Sequence, residues 1–345
     1  MSTDIISKGE KKLLPRIGIT IGDPAGIGPE IVIKALADLG SHIGFEPVLI
    51  GSRKILDAVS LRLGKSIAFV DIGKTAATKN AVFVKDPGGL DFEVKHGVET
   101  ADTGRAAAVC IETAVAMWKA GQIDAIATAP ISKHALSLAG YDYPGHTEFL
   151  AKLTNTDQFA MSFFADKLRV VLLSTHLSLV DAIKRVKAES LSHLIEFSSK
   201  QFEILLSRKV RIAIAGLNPH ASEGGMFGSE EADEITPAIA HCRALGIDVS
   251  GPYSSDTIFL RAFRGEFDAV IACYHDQATI AVKCLSFGSA VNVTLGLPLI
   301  RTSVDHGTAF DIAGKGIADE SSMKSAIELA VELVKGSRLR ERSRD

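Results

Sequence analysis

The chain has 345 residues, of which 46% are hydrophobic and 23% are charged, and its formal net charge is −3 at pH 7. This composition is that of an ordinary globular protein with enough chain for two domains, each with its own hydrophobic core. A nucleic-acid-binding protein needs a basic face, and a membrane span needs roughly 20 apolar residues. Neither feature is present in the sequence, so we expect neither a nucleic acid nor a membrane as a partner.

The N-terminal segment Met1–Lys12 is polar and lacks the apolar stretch of a signal peptide. The four cysteines form no Cys-x-x-Cys pair, which is typical of a reduced protein. We therefore expect a cytoplasmic location. Cys273 lies two residues before His275, and we expect it to be a buried small residue and not a metal ligand.

Short runs rich in valine and isoleucine alternate with longer amphipathic segments in the first part of the chain. Strands are predicted over Arg16–Ile21, Pro47–Gly51, Ser66–Asp71 and Asp124–Ala129. Helices are predicted over Pro29–Leu39, Arg53–Leu63 and Thr103–Ala120. The segment Lys74–Val98 is rich in turn residues, and we interpret it as a hairpin or a long loop.

The same alternation continues in the second part. Strands are predicted over Ala160–Ala165, Leu168–Ser174, Val210–Gly216, Asp268–Ala272 and Ala290–Thr294. Helices are predicted over Thr147–Leu153, Ala188–Leu206, Glu230–Leu245 and Ser321–Lys335. This order predicts an α/β fold with two αβα domains, whose mostly parallel sheets are covered on both faces. We expect residues 1–138 together with 313–345 to form domain 1, and residues 139–312 to form an inserted domain 2.

The loop after the first strand, residues 22–30, contains three glycines. It matches neither the dinucleotide-binding Gly pattern nor a P-loop. Two interpretations stay open: a tight connection into a helix that begins near Pro29, or a ligand loop at the carboxyl end of a strand.

The sequence Gly145-His146-Thr147 precedes a predicted helix, whose free N–H groups favour an anion. The alternative is that Thr147 merely caps this helix.

Three histidines share one placement, because His176, His220 and His275 each follow the carboxyl end of a predicted strand. Open α/β sheets bind ligands at such ends. Three imidazoles with an open coordination position suit Zn²⁺ or Co²⁺. Their spacing matches no local metal motif, so surface histidines are the alternative.

Polar and cationic residues accompany the last predicted strands. Lys283, Asn292 and Arg301 form a candidate pocket for a phosphate or a carboxylate, because charge-assisted hydrogen bonds hold such groups. An internal hydrogen bond for Asn292 is the alternative. The Gly-rich segment His306–Gly316 is a candidate ligand loop.

Taken together, these motifs resemble those of the 4-hydroxythreonine-4-phosphate dehydrogenase family of pyridoxal phosphate biosynthesis. They occur in order in residues 22–29, 145–148, 174–176, 216–220, 274–277, 292–298 and 301–309. The resemblance implies that His176, His220 and His275 bind a divalent metal, Zn²⁺, Mg²⁺ or Co²⁺. It also implies a homodimer with a shared active site, in which the metal ligand at position 275 comes from the partner subunit. It implies substrate contacts from His146, Thr147, Lys283, Asn292 and Arg301.

The resemblance extends to isocitrate and isopropylmalate dehydrogenases, whose fold it implies. Residues 306–316 are similar to the adenosine-binding loop of those enzymes, with Thr308 and Phe310 replacing Ser and Pro. This implies NAD or NADP contacts, with the preference left open, from His306, Gly307, Thr308, Asp311 and Gly314. Domain 1 would then be the cofactor side, and domain 2 would hold the metal, the substrate and the dimer interface.

The implied reaction is oxidation of 4-phosphohydroxy-L-threonine, followed by decarboxylation to 3-amino-2-oxopropyl phosphate in vitamin B6 biosynthesis. Asp256 and Lys283 are two candidates for the base that takes the hydroxyl proton. A paralogous dehydrogenase of D-threonate or D-erythronate 4-phosphate shares all the motifs and stays open, and Ala278–Val282 departs from the family pattern. A non-redox phosphometabolite-binding protein or acyltransferase is a third hypothesis, which the loop His306–Gly316 and the three histidines argue against.

Overall fold

The computed structural model describes residues 14–40, 44–74, 81–286 and 288–342, so the segment Met1–Lys12 lies outside the described residues. Strands and helices alternate through the described ranges, as an α/β fold requires. The strands are β1 (Arg16–Thr20), β2 (Glu46–Ile50), β3 (Phe69–Asp71), β4 (Val82–Lys85), β5 (Ala125–Thr128), β6 (Ala160–Ala165), β7 (Leu168–Leu172), β8 (Ile212–Ala215), β9 (Val249–Tyr253), β10 (Ala269–Ala272), β11 (Val291–Leu295) and β12 (Ile300–Ser303). The helices are α1 (Gly28–Leu39), α2 (Arg53–Arg62), α3 (Ala101–Lys119), α4 (Lys133–Leu138), α5 (His146–Leu153), α6 (Leu179–Lys184), α7 (Ala188–Leu206), α8 (Thr236–Ala244), α9 (Ser255–Phe263), α10 (His275–Ser286) and α11 (Ser321–Arg342).

These strands join one continuous sheet in the order β3-β4-β2-β1-β5-β12-β11-β6-β7-β10-β8-β9. The pairs β12–β11, β11–β6 and β6–β7 are antiparallel, and every other pair within the described residues is parallel. The predicted α/β class with mostly parallel pairing is therefore confirmed. Because three antiparallel steps separate β12 from β7, strands β7, β10 and β8 run opposite to β1, β5 and β12. The carboxyl ends of these two sets lie at opposite edges of the sheet.

The sheet is buried on both faces, as parallel strands under helices require. In the half formed by β6, β7, β10 and β8, successive residues alternate between two clusters of buried side chains. Val171 and Ile271 belong to one cluster, and their neighbours Val170 and Val270 belong to the other. A third cluster packs around β1, β2 and β5.

Helix α11 joins the two halves of the sheet. It packs on β1, β5, β12 and β11, and also on α1 and α7. Its Met323 and Ile327 belong to the cluster around β1, while Ala326 belongs to a cluster of the other half. The division into residues 1–138 with 313–345 and residues 139–312 stays a prediction. Among the described helices, none combines the length and the apolarity that a membrane crossing requires.

One local prediction was wrong. The hairpin interpretation of Lys74–Val98 fails, because β4 lies in this segment and pairs parallel with β3 and β2. Part of that segment, residues 75–80, lies outside the described residues. The helix predicted over Glu230–Leu245 is confirmed, although it begins as a π-helical turn, Glu231–Ile235, before it continues as α8. Pro237 lies at this transition, and it has no N–H to donate to the preceding turn.

Candidate active site

A buried cation, Arg301, lies on β12 near the middle of the sheet. Its Nη2 donates to Thr128 Oγ1 at 2.9 Å, and its Nη1 donates to Thr294 Oγ1 at 3.2 Å. Asn292 Oδ1 lies 3.4 Å from Nη1. Within the described ranges no carboxylate pairs with this guanidinium, and its buried Nε has no hydrogen-bond partner. A buried charge among neutral acceptors favours an anionic ligand that completes its surroundings.

The strand register brings these polar side chains together. Asn292 lies opposite Ser303 across β11 and β12, and Ser303 lies opposite Thr128 across β12 and β5. Because side chains alternate along a strand, Arg301 points to the same face as Ser303. Burial lowers the pKa of Arg301 to about 9, and the nearby Glu148 carboxylate acts in the opposite direction. The guanidinium is therefore charged at neutral pH.

The start of α5 covers this polar face. Thr147 Oγ1 lies 3.4 Å from Thr294 Oγ1. The N-cap residue of α5 is Gly145, and no side chain among the described residues makes a capping hydrogen bond there. The alternative that Thr147 only caps its helix was therefore wrong. Burial, with the Arg301 cation second, holds the pKa of His146 well below its ordinary value. The His146 ring is thus neutral, and its buried Nε2 has no hydrogen-bond partner in the described part of the chain. We call Arg301, Thr128, Thr294, Asn292 and Thr147 the Arg301 cluster.

The three candidate metal ligands follow the carboxyl ends of β7, β8 and β10, in what we call the histidine segments: residues 174–176, 216–220 and 273–277. His176 and His220 are exposed, and His275 is partly exposed. The rings of His176 and His275 lie 6.0 Å apart between centroids. Ser174 Oγ donates to the carbonyl of Cys273 at 3.0 Å, which holds two of the segments together. Cys273 itself is buried, as predicted, and burial raises the pKa of its thiol to about 12.

His220 begins a backbone turn of unusual conformation. Residues 220–224 all have left-handed φ, with values of 53° at His220 and 65° at Ser222. Non-glycine residues pay a conformational cost in this region, and such strain is concentrated at functional sites. The buried Glu231 carboxylate holds the turn by accepting from the backbone N–H groups of Leu217 at 2.8 Å and Asn218 at 2.7 Å.

The described residues of one chain do not bring together a complete set of metal ligands. No group of three or more histidine, cysteine, aspartate or glutamate side chains in the described part of the chain is placed to hold a metal ion. The chemistry of the donors nevertheless fits a divalent cation. His275 Nδ1 lies 2.7 Å from Asp276 Oδ1, an arrangement that orients a ligating imidazole and leaves Nε2 for the metal. The roles of His176, His220 and His275 as ligands stay predictions.

The two candidate bases lie on helices near the histidine segments. Asp256 is exposed in the first turn of α9, and its Oδ1 accepts from Ser254 Oγ at 2.7 Å. Lys283 is exposed on α10, about two helical turns after His275. Neither is joined to the Arg301 cluster by a hydrogen bond between described residues. The choice between them stays open.

The candidate cofactor loop, residues 306–316, packs against the loop that follows β1. The N–H of Ile27 donates to the carbonyl of Thr308 at 3.0 Å, and a Cβ at Gly26 would lie 2.9 Å from that oxygen. The far end of the loop is held by α1, where the buried Glu30 accepts from the N–H groups of Gly316 and Ala318 at 3.1 and 2.8 Å. The buried Nε2 of His306 has no hydrogen-bond partner among the residues that the structure describes. A loop held by backbone hydrogen bonds, with an unsatisfied polar atom, fits a polar cofactor.

The loop after β1 also contains a buried carboxyl group. Burial raises the pKa of Asp23 to about 6, against the lowering effect of the hydrogen bond from the Ala25 N–H, which is 2.8 Å long. Gly22 has φ +69°, and a Cβ there would lie 2.2 Å from the carbonyl of Pro130. These contacts fit the interpretation of this loop as a tight connection between β1 and α1. Its use as a ligand loop stays a prediction.

Sequence reasoning missed several polar residues of these regions. Thr128 and Thr294 bond to Arg301, Asp276 orients His275, and Glu231 holds the His220 turn. Gln277, which follows Asp276, joins several segments. A polar residue inside an apolar strand, as at Thr128 and Thr294, was the available signal.

Comparison with known proteins adds to this geometry. The sequence pattern of the family described as "Pyridoxal phosphate biosynthetic protein PdxA" matches residues 44–330. The chain is 44% identical over 324 residues to D-threonate 4-phosphate dehydrogenase of Cupriavidus necator, covering 93% of this chain and 97% of that one. It is 42% identical over 320 residues to 4-hydroxythreonine-4-phosphate dehydrogenase of Beijerinckia indica, covering 92% and 94%.

A solved structure shows the same fold. The crystal structure of 4-hydroxythreonine-4-phosphate dehydrogenase from Klebsiella pneumoniae superposes with a TM-score of 0.85 at 41% sequence identity. The superposition covers 93% of this chain and 99% of that one. The similarity thus extends over both halves of the sheet.

Proposed function

The chain belongs to the PdxA family of pyridoxal phosphate biosynthetic proteins and is a dehydrogenase that acts on 4-phosphorylated hydroxy acids. On that premise we propose that it oxidises the C3 hydroxyl of 4-phosphohydroxy-L-threonine with NAD or NADP and a divalent metal. The product, 2-amino-3-oxo-4-phosphooxybutanoate, is a β-keto acid, and it loses CO₂ to give 3-amino-2-oxopropyl phosphate.

One observation carries the proposal: among the described residues, the buried Arg301 has only neutral hydrogen-bond partners. The substrate has two anionic groups, a carboxylate and a phosphate, and a guanidinium binds either through two parallel hydrogen bonds. His146 is neutral beside it and offers an unpartnered Nε2 to the same ligand. These residues bind and orient the substrate.

The remaining steps of the reaction need the bound nicotinamide and divalent cation, together with side chains of this chain. When bound, the nicotinamide supplies the hydride acceptor and the divalent cation supplies a Lewis acid. His176, His220 and His275 would hold the cation, and His306, Gly307, Thr308, Asp311 and Gly314 would contact the cofactor. Asp256 or Lys283 takes the hydroxyl proton, and either group reaches solvent to release it.

We also propose that a second copy of this chain completes the site. Exposed apolar side chains surround the histidine segments, and 63% of the Ile280 surface and 75% of the Met226 surface are accessible. The others are Leu177, Leu179, Val180, Ile183 and Phe227. Exposed large apolar side chains that join into one patch mark a protein interface, and we propose that these do so. In a two-fold dimer the same patch covers itself, so histidines of two copies meet. Light scattering should give a mass of twice 36.6 kDa, and a monomer would contradict the shared site.

A second candidate substrate is D-threonate 4-phosphate or its erythronate epimer. The relative from Cupriavidus necator, at 44% identity, favours it. This substrate keeps the carboxylate, the C3 hydroxyl and the phosphate, and it replaces the C2 ammonium group with a hydroxyl. The Arg301 cluster recognises an anionic group that both substrates share, so the reaction class is the same for both.

Paired kinetics on the purified enzyme separate the two substrates. Reduction of NAD⁺ or NADP⁺ is followed by absorbance at 340 nm with Zn²⁺, Mg²⁺ or Co²⁺. Under the proposal, 4-phosphohydroxy-L-threonine has the higher kcat/KM. A kcat/KM orders of magnitude higher for D-threonate or D-erythronate 4-phosphate would assign the second function. No reduction with any of these substrates would contradict the dehydrogenase proposal.

A further inference from the structure

One buried side chain joins the loops around the proposed metal site. Gln277 is 9% exposed and lies in the first turn of α10, two residues after His275. Its Oε1 accepts from the N–H of Cys273 at 2.6 Å. Its Nε2 donates to the carbonyl of Gly216 at 2.7 Å and to Ser255 Oγ at 2.9 Å. The amide thus uses both of its polar atoms in contacts with three chain segments.

Each contacted residue stands close to a proposed functional residue. Cys273 precedes His275 by two residues, Gly216 precedes His220 by four, and Ser255 is next to Asp256. Ser255 Oγ also donates to the Gly216 carbonyl at 2.5 Å, which closes a small network. The third histidine joins this network through Cys273, whose carbonyl accepts from Ser174 Oγ at 3.0 Å.

We infer that Gln277 is a positioning residue, which sets the relative placement of His220, His275 and Asp256 without touching substrate or metal. A second side-chain bond joins the same region, from Cys273 Sγ to the Ala215 carbonyl at 3.5 Å, but it contacts the last residue of β8 and not the loop of His220. A ligand set holds a cation only when the outer contacts fix the orientation of each ligand, and losing one such contact lowers metal affinity about 10- to 100-fold. The inference deepens the proposed function and rests on its metal site.

Two substitutions distinguish the hydrogen bond of the amide oxygen from those of the amide nitrogen. Gln277→Met keeps the length of the side chain and removes every hydrogen bond. Gln277→Glu keeps an oxygen for the Cys273 N–H but removes both donors to Gly216 and Ser255. Ser162→Ala is the matched control, because Ser162 is buried and its Oγ donates to the Val293 carbonyl at 2.8 Å, away from all the histidine segments.

Two measurements on the full-length protein test the inference. Titration with Co²⁺, followed by its visible absorption, should show a Kd raised about 10- to 100-fold in Gln277→Met and unchanged in Ser162→Ala. Hydrogen exchange should show the Cys273 amide exchanging about tenfold faster in Gln277→Met, because its acceptor is lost. In Gln277→Glu that amide should stay protected while residues 216–220 exchange faster.

The opposite results overturn the inference. Wild-type Co²⁺ affinity and wild-type exchange in Gln277→Met would show that the side chain positions nothing. An equal loss of Co²⁺ affinity in Ser162→Ala would show a general destabilisation. If the wild-type protein binds no Co²⁺, the proposed metal site fails, and the exchange pattern alone then decides the role of Gln277.

Discussion

The Arg301 cluster and the histidine segments are two polar regions that differ in how far a single chain assembles them. The side chains of the first are joined by hydrogen bonds, whereas the described histidines of the second form no complete set of metal ligands. The Arg301 cluster is buried and lies on strands β5, β12 and β11 with its hydrogen bonds formed. The histidine segments follow the carboxyl ends of β7, β8 and β10, and two of their three candidate ligands are exposed. The strands of one chain assemble the proposed anion site, whereas the proposed cation site needs the contribution from a second chain that we propose.

The largest expected effect comes from removing one proposed metal ligand. His220→Ala should lower turnover about a thousandfold or more, because a bound metal contributes several kcal/mol to stabilising the transition state. Metal content, measured on the same preparation, should fall with it. The control is His241→Ala, since His241 is exposed on α8 and its ring contacts only Glu196, at 3.6 Å, among the described side chains. Near-normal activity and metal content in His220→Ala would refute the ligand assignment.

Arg301→Met should lower kcat/KM about a hundredfold to a thousandfold, because each hydrogen bond to a charged group contributes about 1.5–3 kcal/mol. The free protein should keep or raise its melting temperature, because a buried cation without a charged partner destabilises the unliganded fold. Arg301→Lys keeps the charge but loses the two-pronged geometry, so its kcat/KM should lie between those of the wild type and Arg301→Met. A lowered melting temperature with unchanged kcat/KM would make Arg301 a structural residue.

The smallest effect concerns the pH dependence of stability. Burial holds the pKa of His146 below its ordinary value in the folded state, so the unfolded chain takes up the proton first as pH falls. The contribution of neutral His146 to the free energy of unfolding is therefore present above the pKa that this histidine has in the unfolded chain. It is lost as the pH falls below that value. Urea midpoints at pH 7.5 and pH 5 should drop more in the wild type than in His146→Gln. An equal drop of the urea midpoint in the wild type and in His146→Gln would contradict the burial argument.

The sequence predicted the framework of the fold because burial on both faces leaves continuous apolar runs. Strands such as β1 and β6 and the long helices α3 and α7 were located within a few residues. The short helices α4, α6 and α9 were missed, since their patterns are too short to show a helical period. Strand β4 was hidden in a turn-rich segment, where its pairing with β2 depends on residues far along the chain.

The candidate residues were found through motifs, but their surroundings were not. Arg301 was predicted as an anion-binding residue, yet Thr128 and Thr294 come from strands whose order in the sheet is a tertiary property. Nor could the sequence show that strand direction reverses between β12 and β7, which puts the carboxyl ends of β7, β8 and β10 at the edge opposite to those of β1, β5 and β12. Gln277 carries no signal of its own, because only the fold brings Gly216 and Ser255 to it.

The central claim is that the three histidines meet in a site shared between two copies of the chain. The most direct test co-expresses His176→Ala and His275→Ala with two different tags and purifies the mixed dimer. In that dimer one site carries both substitutions, while the other combines intact histidines from both chains. The shared site predicts about half of wild-type activity in the mixed dimer, although each variant alone is inactive. Mixed dimers as inactive as the parent variants would contradict the claim.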